Sequence, residues 1–188
     1  MPLLSAMCNY AKIDPLSIAN GPGVRIAVFV SGCRMGCPGC FNQEGQDFAY
    51  GTPLDYDTIG HVLDLMSAPH VRGLTILGGE PMEPENQPSV LRLVRAVRER
   101  YQDSRDIWLF TGFVFERLVS GRTRSDATMA LTILEGVDVL VDGPFETKRK
   151  NITLRFRGSS NQRIIDVRKT LDAREVVIWD DGQRRGRM

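Results

Sequence analysis

Apolar residues recur along the chain with two different spacings. Residues 57–67 and residues 88–101 each place their apolar side chains on one face of a helix. Short apolar runs, rich in β-branched residues, stand between and around these two segments, as buried strands do. The pattern therefore predicts alternating strands and helices, which is typical of an α/β fold with a mainly parallel sheet.

The same pattern gives the bounds of each element. Strands are predicted at residues 24–31, 73–77, 107–110 and 137–141, with shorter helices at 116–120 and 127–134. Further extended pieces are predicted near residues 152–156, 163–167 and 175–179, whereas residues 1–23 are predicted to be irregular. Asp55 or Asp57 is expected to cap the first long helix.

Length and composition place few other demands on the fold. A chain of 188 residues is expected to form one compact domain, residues 1–188, with 42% hydrophobic and 25% charged residues, as in ordinary globular proteins. No apolar run approaches the ~18 residues of a membrane span, and no secretory signal is evident. Together with clustered cysteines, this predicts a cytoplasmic protein that does not bind membranes.

Charge is distributed unevenly. Residues 146–188 carry 12 Lys or Arg against 6 Asp or Glu, although the whole chain has a formal net charge of +1. A basic extension at about residues 168–188 can bind nucleic acid or an acidic protein face, but a solvated surface with a frayed end at residues 182–188 is the preferred interpretation. No binding of nucleic acid is expected.

Each predicted strand is followed directly by a turn with polar or reactive residues. These turns are the cysteine loop (residues 32–44), Gly78-Gly-Glu-Pro81, Thr111-Gly112 and Asp142-Gly143. The carboxyl ends of parallel strands open on one edge of a sheet, and this edge is where such folds bind ligands. The four turns are therefore expected to form a single composite site.

The cysteine loop contains the candidate metal ligands. Cys33, Cys37 and Cys40 follow a C-x3-C-x2-C spacing in a segment rich in glycine, so their thiolates are expected to close on one metal site. Structural zinc takes four ligands, and Cys8 or a histidine would have to complete it. An iron–sulfur cube is also usually held by four cysteines, and three would leave one iron open to a substrate.

The motifs resemble those of radical S-adenosylmethionine enzymes, and within them the activating proteins of anaerobic ribonucleoside-triphosphate reductase. The resemblance rests on the cysteine loop and on Asn20-Gly-Pro-Gly-Val-Arg25, Phe29-Val-Ser-Gly-Cys33, Gly78-Gly-Glu-Pro81 and Arg157-Gly-Ser-Ser-Asn-Gln162. It covers about residues 9–165. One departure from the superfamily pattern is Gly39, where most members have an aromatic residue before the third cysteine; the activating-protein branch tolerates it.

The resemblance implies a fold, two cofactors and a reaction. The fold would be a partial (β/α) barrel, and Cys33, Cys37 and Cys40 would hold a 4Fe–4S cluster with one open iron. S-adenosylmethionine would chelate this iron, accept one electron and split into methionine and a 5′-deoxyadenosyl radical. The radical would take hydrogen from a glycine of the reductase's large component, with a low-potential donor such as flavodoxin supplying the electron.

Roles for the cofactor-binding residues also come from the resemblance. Gly78, Gly79 and Glu80 would hold the amino-acid end of S-adenosylmethionine, and Gly39, Cys40 and Phe41 would lie beside its adenine.

Each of these roles has a structural alternative. Glu80 would favour a helix start, Phe41 would pack in the core, and Cys8 would be a free thiol near a mobile N-terminus. Thr111 and Asp142 can serve a ligand or belong to ordinary turns. The segment 155–163 can approach the cofactor, dock the partner or simply close the fold.

Two other functions compete with this interpretation. One is an activase of another glycyl-radical enzyme, or a small-molecule radical enzyme such as deazaguanine carboxylate synthase; the run Arg157 to Gln162 argues against it. The other is a zinc-stabilised binding module, for which the sequence provides no clear fourth ligand.

Overall fold

The computed structural model describes residues 7–180, which form one seven-stranded sheet with five α-helices and two short 3-10 helices, Glu44–Gln46 and Thr147–Arg149. The expected frayed end at residues 182–188 lies outside the described residues, as do residues 1–6. The strands are β1 (Asn9–Ser17), β2 (Val24–Val30), β3 (Thr52–Pro53), β4 (Val71–Gly78), β5 (Asp106–Phe110), β6 (Val139–Asp142) and β7 (Arg163–Asp166). The helices are α1 (Tyr56–Met66), α2 (Gln87–Tyr101), α3 (Phe115–Val119), α4 (Ala127–Glu135) and α5 (Val167–Ala173).

The sheet is parallel in its middle and antiparallel at both sides. Its strand order is β3-β1-β2-β4-β5-β6-β7, with β2, β4, β5 and β6 parallel to their neighbours in that series. Antiparallel pairing adds β1 and β3 at one side and β7 at the other. The α/β class and the mainly parallel centre are thus confirmed.

The two faces of the sheet have different coverings. Side chains from all five helices share one buried core with alternate strand residues such as Ile107 and Leu109 of β5. Trp108, between those two, points to the opposite face and packs with Val139, Val141 and the partly buried Phe156. Because successive side chains of a strand point to opposite faces, one face packs against the helices. The other face carries this aromatic cluster and borders a cavity.

Most predicted bounds agree with the structure to within two residues. Asp55 is the cap of α1, because its side chain accepts a hydrogen bond of 2.8 Å from the backbone nitrogen of Thr58. No helix among residues 7–180 is long and apolar enough to cross a membrane.

Three predictions about secondary structure were wrong. Residues 9–17 form β1 instead of an irregular segment. Residues 152–156 were expected to be extended, but they form turns and bends over the aromatic cluster of Trp108. The extended piece expected near residues 175–179 is not a strand in the described part of the chain, where an isolated bridge pairs Ile178 with Ile165. At the start of the basic extension, where no element was predicted, α5 forms.

Candidate functional site

The carboxyl ends of the parallel strands meet around one cavity of about 560 Å³. Three segments come directly after strands: the cysteine loop after β2, Thr111-Gly112 after β5 and Gly143 after β6. The fourth segment, Gly78-Gly79-Glu80, begins with the last residue of β4. All four segments line the cavity. The four turns therefore lie together at one edge of the sheet, as expected, and their role as one composite site stays a prediction. A cavity of this size is in the range of sites for cofactors and other small molecules.

The structure brings every predicted site residue to this cavity. Its lining includes Cys33, Cys37, Gly39, Cys40, Phe41, Gly78, Gly79 and Glu80. Thr111 also lines it, whereas Asp142 does not: the Asp142 carboxylate is buried, accepts from the backbone nitrogen of Phe115 and pairs with Arg163. Of Thr111 and Asp142, only Thr111 is therefore placed to meet a ligand.

Close backbone contacts join the cysteine loop to the turn after β4. Gly32 has a φ of +96°, and a Cβ there would lie 2.2 Å from the ring of Phe48. At Gly79 a Cβ would lie 2.6 Å from the carbonyl oxygen of Gly32. Only glycine fits both positions, and the resulting approach allows the Glu80 nitrogen to donate to the Gly32 oxygen at 2.9 Å.

The four cysteines divide into three at the cavity and one in the core. Cys33, Cys37 and Cys40 are free thiols of intermediate exposure, and burial raises the pKa of Cys33 to about 11. Cys8 is only 7% exposed, belongs to the core on the helix side and does not line the cavity. The prediction that Cys8 is a free thiol is confirmed, and its side chain is buried; the N-terminal residues 1–6 lie outside the described residues.

The donor set fits a cluster better than a single ion. Within residues 7–180, no three His, Cys, Asp or Glu side chains close on a point as one metal ion requires, so convergence on one point was not borne out. A cubane is wider than an ion and binds each thiolate through a different iron. Three thiols that line one cavity are a donor set of the type that such a cluster takes, and the exposed His61 and His70 do not line this cavity.

Glu80 is the most strongly held side chain of the cavity wall. It is 1% exposed, and its carboxylate accepts hydrogen bonds from the Met82 nitrogen at 2.9 Å, the Thr111 hydroxyl at 2.7 Å and the Gly112 nitrogen at 2.7 Å. These contacts tie the end of β4 to the end of β5. The alternative role at a helix start is not supported, because α2 begins only at Gln87.

Burial should make Glu80 a pH-dependent element of stability. Burial raises its pKa from 4.5 to about 7, although hydrogen bonds from Thr111, Met82 and Gly112 lower it. The folded state therefore binds a proton more tightly than the unfolded state, and stability is lost as pH rises through about 7. We expect the free energy of unfolding of the cluster-free wild type, measured in urea, to fall by up to about 3 kcal/mol relative to that of Glu80→Gln between about pH 5 and 7.5.

The matched control for this measurement is Glu85→Gln. Glu85 is half exposed, and a hydrogen bond from Arg34 lowers its pKa, so its titration falls below 4.5. The difference in free energy of unfolding between Glu85→Gln and the wild type should therefore stay constant over the same range of pH. An equally flat difference for Glu80→Gln would contradict the assignment of a raised pKa.

Phe41 stands at the opening of the cavity. Its ring is 81% exposed and touches Phe29 edge-on, with ring centroids 6.5 Å apart. The alternative of simple core packing is therefore not supported. An exposed ring beside a cavity is available to stack on a planar ligand.

The segment 157–162 forms part of the cavity wall and also closes the fold. Gln162 Oε1 accepts hydrogen bonds from the backbone nitrogens of Gly158 and Ser159, which closes the loop internally. Gln162 Nε2 donates to the backbone oxygen of Gly143 at 3.1 Å. Arg157, Gly158 and Gln162 line the cavity. The segment thus positions the wall after β6, in agreement with the structural alternative, and faces the ligand space as well.

Sequence reasoning missed the apolar wall of the cavity. Residues from the irregular segment after β6 line it, namely Phe145, Ile152, Leu154 and Phe156, together with Met35 of the cysteine loop. Ile152 is 91% exposed although it is apolar. The only signal in the sequence was an alternation of apolar and polar residues, which indicated a strand instead.

Comparisons with known proteins agree with this site. A family model described as a 4Fe-4S single cluster domain matches residues 19–165. Three relatives are each named anaerobic ribonucleoside-triphosphate reductase-activating protein. That of Enterobacteria phage T4 is 35% identical over 83% of this chain and 92% of its own length. Those of Pasteurella multocida and Escherichia coli K12 are 36% and 33% identical over 83% and 85% of this chain, and 96% and 99% of their own.

Proposed function

Because the chain belongs to the family of anaerobic ribonucleoside-triphosphate reductase-activating proteins, we propose that it installs a glycyl radical on that reductase. The observation that carries the proposal is the convergence of all eight predicted site residues on one cavity. This protein is then an oxidoreductase whose second substrate is another protein. A cytoplasmic location and a low-potential donor such as flavodoxin are part of the same proposal.

Cys33, Cys37 and Cys40 would hold the 4Fe–4S cluster. All three lie on one loop that the close approach of Gly32 and Gly79 ties to the end of β4. When bound, the cluster and S-adenosylmethionine supply one electron and a 5′-deoxyadenosyl group that takes a hydrogen atom from glycine, leaving methionine and 5′-deoxyadenosine. The protein's own task is to bind, orient and shield these groups.

The end of β4 is suited to the amino-acid part of S-adenosylmethionine. Gly78 and Gly79 bring backbone to the cavity wall, and Glu80 presents its carboxylate there. An ionised carboxylate has about four acceptor positions, and three donors already occupy Glu80. One position is left, which is enough for one N–H of a ligand ammonium group.

The remaining wall would receive the adenine and exclude water. Gly39, Cys40 and the exposed ring of Phe41 are proposed to flank the base, while Leu77, Phe110 and Leu154 give the cavity an apolar surface. An apolar wall protects a reactive group from water. The exposed Ile152 adds apolar surface that a docked partner would cover.

The finer description of the fold belongs to the same proposal. The four parallel strands have helices on one face and the cavity on the other. This arrangement supports a partial (β/α) barrel of the radical S-adenosylmethionine type.

The test uses full-length protein with its cluster reconstituted without oxygen. After reduction with S-adenosylmethionine and the reductase's large component, we expect a glycyl doublet in electron paramagnetic resonance and stoichiometric 5′-deoxyadenosine. A doublet only on another glycyl-radical enzyme, or turnover of a small molecule instead, would replace the proposal with the corresponding alternative. Colourless protein with one zinc per chain would favour the binding module.

A further inference from the structure

The turn after β4 holds the chain on both sides of Cys33. On the N-terminal side, the Gly32 oxygen accepts hydrogen bonds from the Glu80 nitrogen at 2.9 Å and from Asn86 Nδ2 at 3.1 Å. On the C-terminal side, the Arg34 nitrogen donates to Glu83 Oε1 at 2.8 Å. The peptide units that flank the first cysteine are thus fixed by residues about 50 positions later in the chain.

Glu83 is the centre of these contacts. Its side chain has no exposed surface, and besides the Arg34 backbone it binds the guanidinium groups of Arg34 at 3.3 Å and Arg124 at 2.5 and 2.7 Å. Burial raises the pKa of Glu83, but hydrogen bonds from Arg124 and Arg34 bring it below its ordinary value. A buried carboxylate without these partners would be strongly unfavourable.

Arg124 connects this centre to the cavity. Its guanidinium lies 3.2 Å from the sulfur of Met35, which lines the cavity, and 4.8 Å from the ring centre of Phe113. Glu83 therefore joins three segments: the cysteine loop, the turn after β4, and the residues just before α4. The three segments meet at the backbone of Arg34, directly after Cys33, which is one of the proposed cluster ligands.

We propose that Glu83 is a positioning residue for the cluster, holding the Cys33 ligand in place through the Arg34 backbone and balancing the charge of Arg34 and Arg124 beside it. This inference rests on the proposed function, because it presupposes that Cys33 binds the cluster. Residues that orient metal ligands typically alter metal affinity by roughly 10- to 100-fold when replaced.

The test compares Glu83→Gln with Glu85→Gln in the full-length protein. Each substitution removes a carboxylate that pairs with the Arg34 guanidinium, but Glu85 is 50% exposed whereas Glu83 is buried. Each variant is reconstituted without oxygen, and three properties are measured: iron loss to a chelator, the electron paramagnetic resonance spectrum of the reduced cluster, and the reduction potential.

We expect Glu83→Gln to lose iron roughly 10-fold faster or more, with a changed spectrum and a more positive potential. The potential should rise because a negative charge is removed near the cluster. Glu85→Gln should match the wild type in all three properties. If Glu83→Gln does not fold, as circular dichroism would show, Arg124→Gln carries the test, with the same iron loss and spectral change expected.

Two outcomes would overturn the proposal. One is a folded variant with wild-type iron retention, spectrum and potential. The other is reduced thermal stability alone, since a merely structural role would leave the spectrum and potential unchanged. Failure of the wild type itself to take up about four irons per chain would instead refute the cluster on which the proposed function depends.

Discussion

Replacing Cys33, Cys37 or Cys40 by alanine is expected to abolish both the cluster and the formation of 5′-deoxyadenosine. Each thiolate would bind a different iron, so losing one leaves two ligands and a second unprotected iron. The effect should exceed the roughly 10- to 100-fold loss that follows from removing a residue that only orients a ligand. Iron content, the absorption of the reconstituted protein and 5′-deoxyadenosine are the measurements.

Cys8→Ala is the matched control. Cys8 lies in the core on the helix side, away from the cavity, so its replacement should cost some stability but leave the iron content unchanged. Loss of the cluster in Cys8→Ala, with retention in any one of the other three variants, would show that the ligands have been assigned wrongly. Circular dichroism of the cluster-free proteins would confirm that all four fold.

Arg25→Met is expected to destabilise the protein by about 2–4 kcal/mol, because it removes a fully buried guanidinium that pairs with the partly exposed Asp106 and satisfies buried acceptors. Arg25 has no exposed surface; its guanidinium lies 2.6 Å from Asp106 and donates to the Thr75 hydroxyl and the Leu74 oxygen, both at 2.7 Å. It also lies over the ring of Trp108, 5.5 Å from the centroid. Methionine would leave these acceptors without their donor.

This arginine also supports one wall of the cavity. Thr75, which Arg25 holds, donates to the oxygen of Asn20 at 2.8 Å, and Asn20 lines the cavity. The motif Asn20-Gly-Pro-Gly-Val-Arg25 thus folds back on itself through β4. Loss of Arg25 should therefore weaken the proposed binding of S-adenosylmethionine as well as the stability of the fold.

Arg72→Met provides a control on the same carboxylate. Arg72 is 57% exposed and contacts the other oxygen of Asp106 at 3.3 Å, so its loss should cost no more than about 1 kcal/mol. Urea unfolding of the cluster-free proteins measures both effects. If both variants lose the same free energy of unfolding, the burial of Arg25 is not the cause of the destabilisation.

The strands and helices that the sequence predicted well are those with strong local periodicity. β2, β4 and α2 combine long apolar patterns with clear turn or cap residues, and their bounds follow from neighbours in the chain. β1 was missed because it contains Asp14 and Pro15 and pairs with β2 through two irregularities in register. A polar strand of this kind is stabilised by its partner and not by its own propensity.

The candidate site shows the same division. The spacing of Cys33, Cys37 and Cys40, and the glycines at the ends of strands, are local features, and they were sufficient to predict that these segments would lie at one edge of the sheet. The mutual contacts of Arg34, Glu83 and Arg124 were not predictable, because three residues far apart in the chain come together only in the folded state. Glu83 by itself resembles any charged residue in a turn.

The sequence by itself determined the alternation of the central strands and helices and the edge at which the site forms, because both follow from periodicity and turn chemistry. Only the tertiary structure decided that Cys8 is a core residue, that Phe41 is exposed, and that Arg25 and Glu83 are buried among partners. Burial depends on which segments pack against a side chain, and this depends on the whole sheet. The environment of a titratable group is therefore a property of the fold, even where its identity is evident from the chain.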